Sequence, residues 1–201
     1  VFGPGVEPYL AELERTIYSA TSGQVAGMII EPIQGFGGVV PMPEGYMRRA
    51  FEIVRAAGGL AIVDEVQTGW GRLGTHYWGF EAHGVTPDIV VLGKGMGNGL
   101  PIAGIVTRRE VAESFARHFF FNTYGSNPVA VAAARSVIAG LDAEQRQANA
   151  LAMGERALAG FRRLQQKHDL IGDVRGQGLF LGVDLVQDRG TKVPASEQAQ
   201  R

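Results

Sequence analysis

Short apolar stretches separated by amphipathic segments predict a chain in which strands and helices alternate. Continuous apolar runs at 25–30, 60–63 and 89–92 are typical of strands buried on both faces of a sheet. A further run at 102–106 predicts a fourth strand, and weak alternation over 178–186 predicts another. Apolar residues recur at helical spacing over five segments, and helices are therefore predicted at 8–21, 43–57, 108–117, 128–140 and 143–167.

This order of elements indicates an α/β fold with a largely parallel sheet. The longest predicted helix ends near residue 170, where the pattern of charges and glycines also changes. We therefore expect a domain boundary at that point. The last nine residues contain no apolar stretch that would close a core, which predicts either a flexible tail or a truncated chain.

The composition excludes several classes of function. The 201 residues contain 19 Lys and Arg against 20 Asp and Glu, and a net charge of −1 gives no global reason to bind nucleic acid or an anionic membrane. The apolar runs reach only about six residues, whereas a membrane-spanning helix needs about 20. The absence of cysteine excludes disulfides and thiolate metal sites. The 29 glycines cluster between predicted strands, which favours tight turns and the close approach of a ligand.

Two familiar nucleotide-binding motifs are not supported by their context. Residues 69–74 match G-x-G-x-x-G, but the segment after them lacks the helical pattern that a dinucleotide site requires. Gly93 and Lys94 lack both the preceding spacing of a P-loop and the Ser or Thr that would follow its lysine. The four histidines lie far apart and form no metal-binding spacing.

Polar residues instead follow three of the predicted strands. Glu31 follows the first, Asp64 ends the second and Lys94 follows the third. Because parallel strands present their carboxyl ends at one edge of a sheet, we expect these side chains to lie close together. Taken singly, an acid at a strand end often caps a loop and a lone lysine is usually solvated.

Together with the segment NTYGSNP at 122–128, these residues meet the chemical needs of a pyridoxal phosphate site. The aldehyde of that cofactor requires an amine to form a Schiff base, which Lys94 supplies between two glycines. A carboxylate such as Asp64 keeps the pyridine nitrogen protonated, because an opposite charge favours the charged form. Thr123 and the following Gly-Ser-Asn turn offer hydroxyl and backbone N–H donors to the phosphate.

With these residues the sequence resembles the class III pyridoxal-phosphate-dependent aminotransferases of the fold type I group. The resemblance is nearest to the branch of alanine–glyoxylate and β-amino acid–pyruvate aminotransferases, and it extends over essentially the whole chain. Several motifs in one order are more specific than any single motif. They are FGPG (2–5), EPIQG (31–35), DEVQTGWGR (64–72), PDIV (87–90), GKG (93–95), NTYGSNP (122–128) and VRGQGL (174–179).

The resemblance implies a role for five residues. Lys94 would form the Schiff base and carry the proton between the substrate and the cofactor. Asp64 would pair with the pyridinium nitrogen, Val66 would pack under the ring, and Gln67 would bind on the side of the ring hydroxyl. Thr123 would reach the phosphate of the neighbouring subunit's cofactor, which implies a homodimer with shared active sites.

The resemblance also implies the domain organisation. Residues 1–140 would belong to the large cofactor-binding domain with its mostly parallel sheet, 141–170 would form a connecting helix, and 171–201 would begin a small C-terminal α+β domain.

The sequence departs from other branches of the family at one position. Phe36 stands where the ornithine and γ-aminobutyrate branches carry a glutamate that gates a substrate-binding arginine. Glu31 has two open interpretations, as a residue behind the cofactor or as a loop-capping acid.

The functional expectation is a transaminase that moves an amino group from an amino acid or amine to a keto acid such as pyruvate or glyoxylate. The alternatives left open are a phospho-lyase of the same superfamily and a non-catalytic fragment. The family's phosphate-binding loop and its carboxylate-binding arginine are not found in the sequence, so we expect a fragment of a chain about twice as long. The compartment expected by default is the cytoplasm, with the mitochondrion as the alternative.

Overall fold

A computed structural model describes residues 5–200, which fold into six helices and eight strands. The helices are α1 (Glu7–Ala20), α2 (Tyr46–Ala56), α3 (Arg109–Ala116), α4 (Pro128–Ala143), α5 (Arg146–Lys167) and α6 (Ser196–Ala199). The strands are β1 (Gly27–Ile30), β2 (Ile33–Gln34), β3 (Val40–Pro41), β4 (Leu60–Asp64), β5 (Ile89–Leu92), β6 (Gly104–Thr107), β7 (Ile171–Gln177) and β8 (Phe180–Leu185). The first three residues of the FGPG motif lie outside the described residues.

The main sheet has four strands in the order β1-β4-β5-β6. The first three run parallel, as expected, but β6 pairs antiparallel with β5. A parallel connection needs a crossover of about a dozen or more residues, usually a helix. Residues 93–103 contain only the short 3₁₀ turn Lys94–Gly97, so the chain turns back beside β5. The predicted strand at 102–106 is present but begins later, at Gly104.

The core lies where α2 packs against one face of the sheet. Along β4 the side chains alternate, so that Ala61 and Val63 are fully buried while Ile62 and Asp64 are half-buried. Met47 and Phe51 of α2 are fully buried against this face. The amphipathic pattern of α2 therefore fixes which face of β4 is covered, and Asp64 belongs to the other set of positions.

The strand predicted at 178–186 is part of an antiparallel hairpin, β7–β8, and β7 was not predicted at all. The reason is that β7 reads Ile-Gly-Asp-Val-Arg-Gly-Gln, which is polar and rich in glycine and has low strand propensity. Its pairing with β8 and its packing against the rest of the chain stabilise it instead. The short hairpin β2–β3 was likewise missed, because its strands have only two residues each.

The remaining expectations divide into those that hold and those still open. The predicted helices all form, and the α/β fold class is confirmed. The division into units at residues 140 and 170 stays a prediction. No helix among residues 5–200 is long and apolar enough to cross a bilayer.

Candidate active site

Three adjacent parallel strands bring Glu31, Asp64 and Lys94 to one edge of the sheet. Ile30 lies opposite Val63 in the pairing of β1 with β4, so Glu31 leaves β1 at the level where β4 reaches Asp64. Asp64 in turn lies opposite Val91 of β5, three residues before Lys94. Since neighbouring strands are about 4.8 Å apart, the acid of β4 and the segment that carries the lysine emerge side by side.

Asp64 is held by the backbone that follows it. The amide N–H of Val66 donates to Oδ1 of Asp64 at 2.9 Å, which fixes the carboxylate in a tight turn. Asp64 also lines a cavity of about 340 Å³, together with Glu31 and Gln34. Lys94 is not part of that cavity wall. The Asp64 carboxylate is therefore half-buried. The amide of Val66 holds one of its oxygens, and the residue faces the cavity.

Lys94 begins the 3₁₀ turn that follows β5. Its φ is +39°, a left-handed conformation that a residue with a side chain seldom adopts. The turn is closed by the amide of Met96, which donates to the carbonyl of Gly93 at 3.0 Å. The lysine is exposed, so its amine is accessible to a ligand at the strand edge.

Val66 and Gln67 lie between these two residues and the neighbouring loop. A β-carbon added at Gly93 would lie 3.5 Å from Cγ2 of Val66, so Val66 packs beside the residue that precedes Lys94. A β-carbon at Gly35 would overlap Nε2 of Gln67. The structure thus brings Asp64, Val66, Gln67 and the lysine-bearing turn to one place.

Glu31 has the geometry of a loop-capping acid. Its Oε2 accepts a hydrogen bond from the amide of Gly35 at 3.0 Å. The same loop, 35–39, packs on Gln67 through Gly35 and exposes Phe36 completely to solvent. Glu31 therefore shapes the loop that covers Gln67.

Thr123 makes no hydrogen bond to the other predicted site residues within residues 5–200. It is exposed in the segment between α3 and α4. The turn around it is ordered by Asn122, whose Oδ1 accepts from the amide of Tyr124 at 3.1 Å, and by Asn127, which caps α4. Large side chains in this segment are exposed: Phe119, Phe120, Phe121 and Tyr124.

Sequence reasoning missed the role of Glu65. This side chain is fully buried, and its two oxygens accept from the hydroxyl of Thr68 at 2.7 Å and from the amides of Gly79 at 3.0 Å and Phe80 at 2.8 Å. Burial raises the pKa of the Glu65 carboxyl, although these three hydrogen bonds oppose the shift. The alternation along β4 could have revealed it, since Glu65 continues the buried set Ala61 and Val63.

Arg175 was also missed as a structural link. Its Nε donates to the carbonyls of Gly38 at 2.9 Å and Val39 at 3.1 Å, and Nη1 pairs with Asp173 at 2.7 Å and Asp184 at 2.6 Å. The two carboxylates raise the pKa of the Arg175 guanidinium above its ordinary value, and Arg175 in turn lowers the pKa of Asp184. The β7–β8 hairpin is thereby attached to the loop that packs on Gln67.

Residues 6–200 match the family model described as aminotransferase class III. The chain belongs to the class III aminotransferase family. This membership confirms the family resemblance inferred from the motifs.

Among curated proteins, the chain is 46% identical over 198 residues to an Arabidopsis thaliana protein named alanine–glyoxylate aminotransferase 2 homolog 2, mitochondrial. That match covers 98% of this chain but 41% of the relative, so the chain spans about two fifths of the relative's length.

Two solved structures share the fold. The first is an (S)-enantioselective ω-transaminase from Thermomicrobium roseum, with a TM-score of 0.87 and 39% identity over 94% of this chain and 43% of the other. The second is an Arthrobacter phospholyase in complex with phosphoethanolamine, with a TM-score of 0.88 and 39% identity over 94% and 46% of the two chains. The fold class expected from the sequence is therefore confirmed.

Proposed function

We propose that this chain carries the cofactor-binding core of a pyridoxal-phosphate-dependent aminotransferase. The observation that carries the proposal is the arrangement at the sheet edge. A carboxylate anchored by its own turn ends β4, and a glycine-flanked lysine follows the adjacent parallel strand β5. Membership of the class III family supports the same chemistry.

The residues present fit this cofactor. Lys94 is the only lysine near the edge, because the other two, Lys167 and Lys192, lie at the end of α5 and in the C-terminal segment. Glycine flanks Lys94 on both sides, which leaves room for a flat ring to approach the backbone. A β-carbon at Gly35 would displace the Gln67 amide, so the loop is shaped to present that amide.

Each residue then has one task. Bound pyridoxal phosphate supplies an electron sink for the carbon that carries the substrate's amino group. Lys94 would hold the cofactor by its aldehyde through Nζ, and the same amine would carry the proton at the substrate carbon. Asp64 would supply the negative charge that keeps the ring nitrogen protonated. Val66 would pack against the ring and Gln67 would offer hydrogen bonds to its polar groups.

The assembly and compartment are part of the proposal. Thr123, exposed and without a hydrogen bond to Lys94 among the described residues, is suited to serve the site of a second copy in a homodimer. The exposed aromatic side chains around it support this, since an interface would cover them. We propose the cytoplasm as the compartment. The alternative is the mitochondrion, which the name of the Arabidopsis relative favours.

A phospho-lyase is the second candidate. The Arthrobacter phospholyase matches the chain as well as the ω-transaminase does, with the same identity and nearly the same TM-score. Both chemistries use the same lysine and ring, and the relatives' names include more transaminases. We therefore rank amino transfer to pyruvate or glyoxylate first.

The deciding experiment measures both reactions on one preparation. Amino transfer from L-alanine to glyoxylate, and from a panel of amines to pyruvate, is compared with phosphate release from phosphoethanolamine. Keto-acid-dependent transfer that is lost in Lys94→Ala and kept in the matched control Lys167→Ala supports the proposal. Phosphate release without transfer assigns the lyase, and transfer that survives Lys94→Ala refutes the role of the lysine.

A further inference from the structure

Two residues with bulky side chains near the sheet edge have left-handed backbones. Lys94 has φ +39°, and Trp70 has φ +64°. A positive φ is unfavourable for a bulky residue and persists only where surrounding contacts enforce it. Such conformations cluster at functional sites, and here the two strained residues are neighbours in space through Gly95.

The loop that follows Asp64 lies close to the glycine on each side of Lys94. A β-carbon at Gly93 would lie 3.5 Å from Cγ2 of Val66, and a β-carbon at Gly95 would lie 3.5 Å from Cδ1 of Trp70. Both distances are ordinary van der Waals separations for a β-carbon, which glycine lacks, so each side chain lies beside its glycine at a distance that a methyl group would fill. The same five-residue stretch, 66–70, therefore lies along both sides of the lysine turn and also fixes the carboxylate of Asp64.

Trp70 is itself held in place by its own surroundings. Its ring makes edge contacts with Trp78, at a centroid distance of 5.0 Å, and with Tyr77, at 6.1 Å. The amide of Gly71 donates to the carbonyl of Tyr77 at 2.9 Å, which closes the loop around the ring. The ring cannot move away from Gly95 without disturbing this aromatic cluster of Trp70, Tyr77 and Trp78.

The indole N–H is not what the contact uses. Nε1 of Trp70 is buried and has no hydrogen-bond partner within residues 5–200, although a buried donor normally finds one. The ring atom nearest to the β-carbon position of Gly95 is Cδ1, the carbon bonded to Nε1. A phenylalanine ring has a carbon at the equivalent position and lacks the N–H.

We propose that Trp70 is a positioning residue for Lys94, acting through the packing of its ring beside Gly95. The role of Lys94 on which this inference rests is the one given under the proposed function. Trp70 and Val66 hold the Lys94–Gly97 turn from two sides and keep the lysine in its left-handed conformation beside Asp64. The ring, and not its N–H group, performs this task.

The test measures amide hydrogen exchange in the turn, which requires no cofactor. The reporters are the amides of Met96, which donates to Gly93 at 3.0 Å, and Asn98, which donates to Gly95 at 3.3 Å. In Trp70→Ala we expect both to exchange about tenfold faster, as for local opening of a loosened segment. Trp70→Phe should exchange like the wild type. The amide of Leu60, bonded to Ala26 at 3.0 Å in the sheet, reports global unfolding.

A second readout follows the bound cofactor. The midpoint of the pH titration of the cofactor's visible absorbance should shift in Trp70→Ala, because loosening the turn changes the surroundings of the Lys94 amine. In Trp70→Phe, which keeps a ring beside Gly95, the midpoint should return to the wild-type value. If Trp70→Ala also accelerates Leu60, the variant is globally unstable and Trp70→Leu, which keeps apolar bulk, replaces it. Unchanged exchange of Met96 and Asn98 in Trp70→Ala overturns the proposal, and so does a Trp70→Phe variant that behaves like Trp70→Ala.

The two proposals fail separately. If the turn exchanges faster in Trp70→Ala but no cofactor binds to Lys94, the positioning role stands and the proposed function is refuted. Normal amino transfer with no change in exchange refutes the positioning role and leaves the function intact.

Discussion

Replacing Arg175 should loosen the loop that packs on Gln67 as well as the hairpin that carries the arginine. The side chain is 12% exposed and bridges two carboxylates and two carbonyls. The carbonyls of Gly38 and Val39 share one guanidinium, and losing a charged donor there costs about 1.5–2 kcal/mol for the pair. Asp173 and Asp184 are 49% and 48% exposed, so each ion pair contributes only about 0.5 kcal/mol.

We therefore expect Arg175→Ala to lower the free energy of unfolding by about 2.5–3 kcal/mol, measured by urea titration. Arg175→Lys should lose about half as much, since one ammonium cannot match the planar fork. Exchange of the Gly38 and Val39 amides, which both donate to Gly35, should accelerate in both variants. The matched control is Arg189→Ala, because Arg189 binds carbonyls at Ile171 and His168 and does not reach loop 35–39.

The pH dependence has a definite sign. Arg175 lowers the pKa of Asp184 below its ordinary value of 3.8, so this contribution to stability is present above pH 3.8 and is lost as the pH falls through the lower, folded-state pKa. The difference between the wild type and Arg175→Ala should narrow below pH 3.8. An unfolding free energy within 0.5 kcal/mol of the wild type at pH 7, roughly the range of an ordinary surface substitution, would refute this reasoning.

Three further substitutions test other contacts. Glu65→Gln should cost about 1–3 kcal/mol of unfolding free energy in thermal or urea unfolding, because its NH₂ group must face an amide donor such as that of Phe80; a neutral result would contradict the hydrogen-bond assignment. Trp70→Phe should lower the urea midpoint of unfolding less than Trp70→Ala does, since it keeps an aromatic ring against Trp78 and loses an N–H that has no partner within residues 5–200; equal losses in the two variants would contradict this. Gly35→Ala should weaken cofactor binding by displacing Gln67, and it should have little further effect in a Gln67→Ala background; equal effects in both backgrounds would place the cause elsewhere.

The sequence predicted the elements whose pattern is local and strong. Helix α2 and strands β1, β4 and β5 have continuous or periodic apolar residues, and their parallel order placed Asp64 and Lys94 at one edge. Strand β7 escaped prediction because contacts distant in sequence, above all those of Arg175 with Gly38, stabilise a polar segment. The antiparallel direction of β6 could not be predicted from its own apolar pattern, because it depends on the length of the connection 93–103.

The site shows the same division. Chemistry at strand ends was visible in the residue types, so Asp64, Val66, Gln67 and Lys94 could be named from the sequence and the resemblance. The supporting contacts of Glu65 and Trp70 were not visible. They depend on which face a side chain occupies and on a loop that returns from residues 77–80. Thr123 remains a prediction whose test requires a second copy of the chain.

The central claim is most directly tested by locating the cofactor on the chain. Borohydride reduction of the protein incubated with pyridoxal phosphate should fix one phosphopyridoxyl group on Lys94, and trypsin should then fail to cleave after that lysine. Mass spectrometry should find a modified peptide covering 73–108, where the unmodified protein gives 73–94 and 95–108. Modification of Lys167 or Lys192, or cleavage after Lys94 unchanged, would contradict the account.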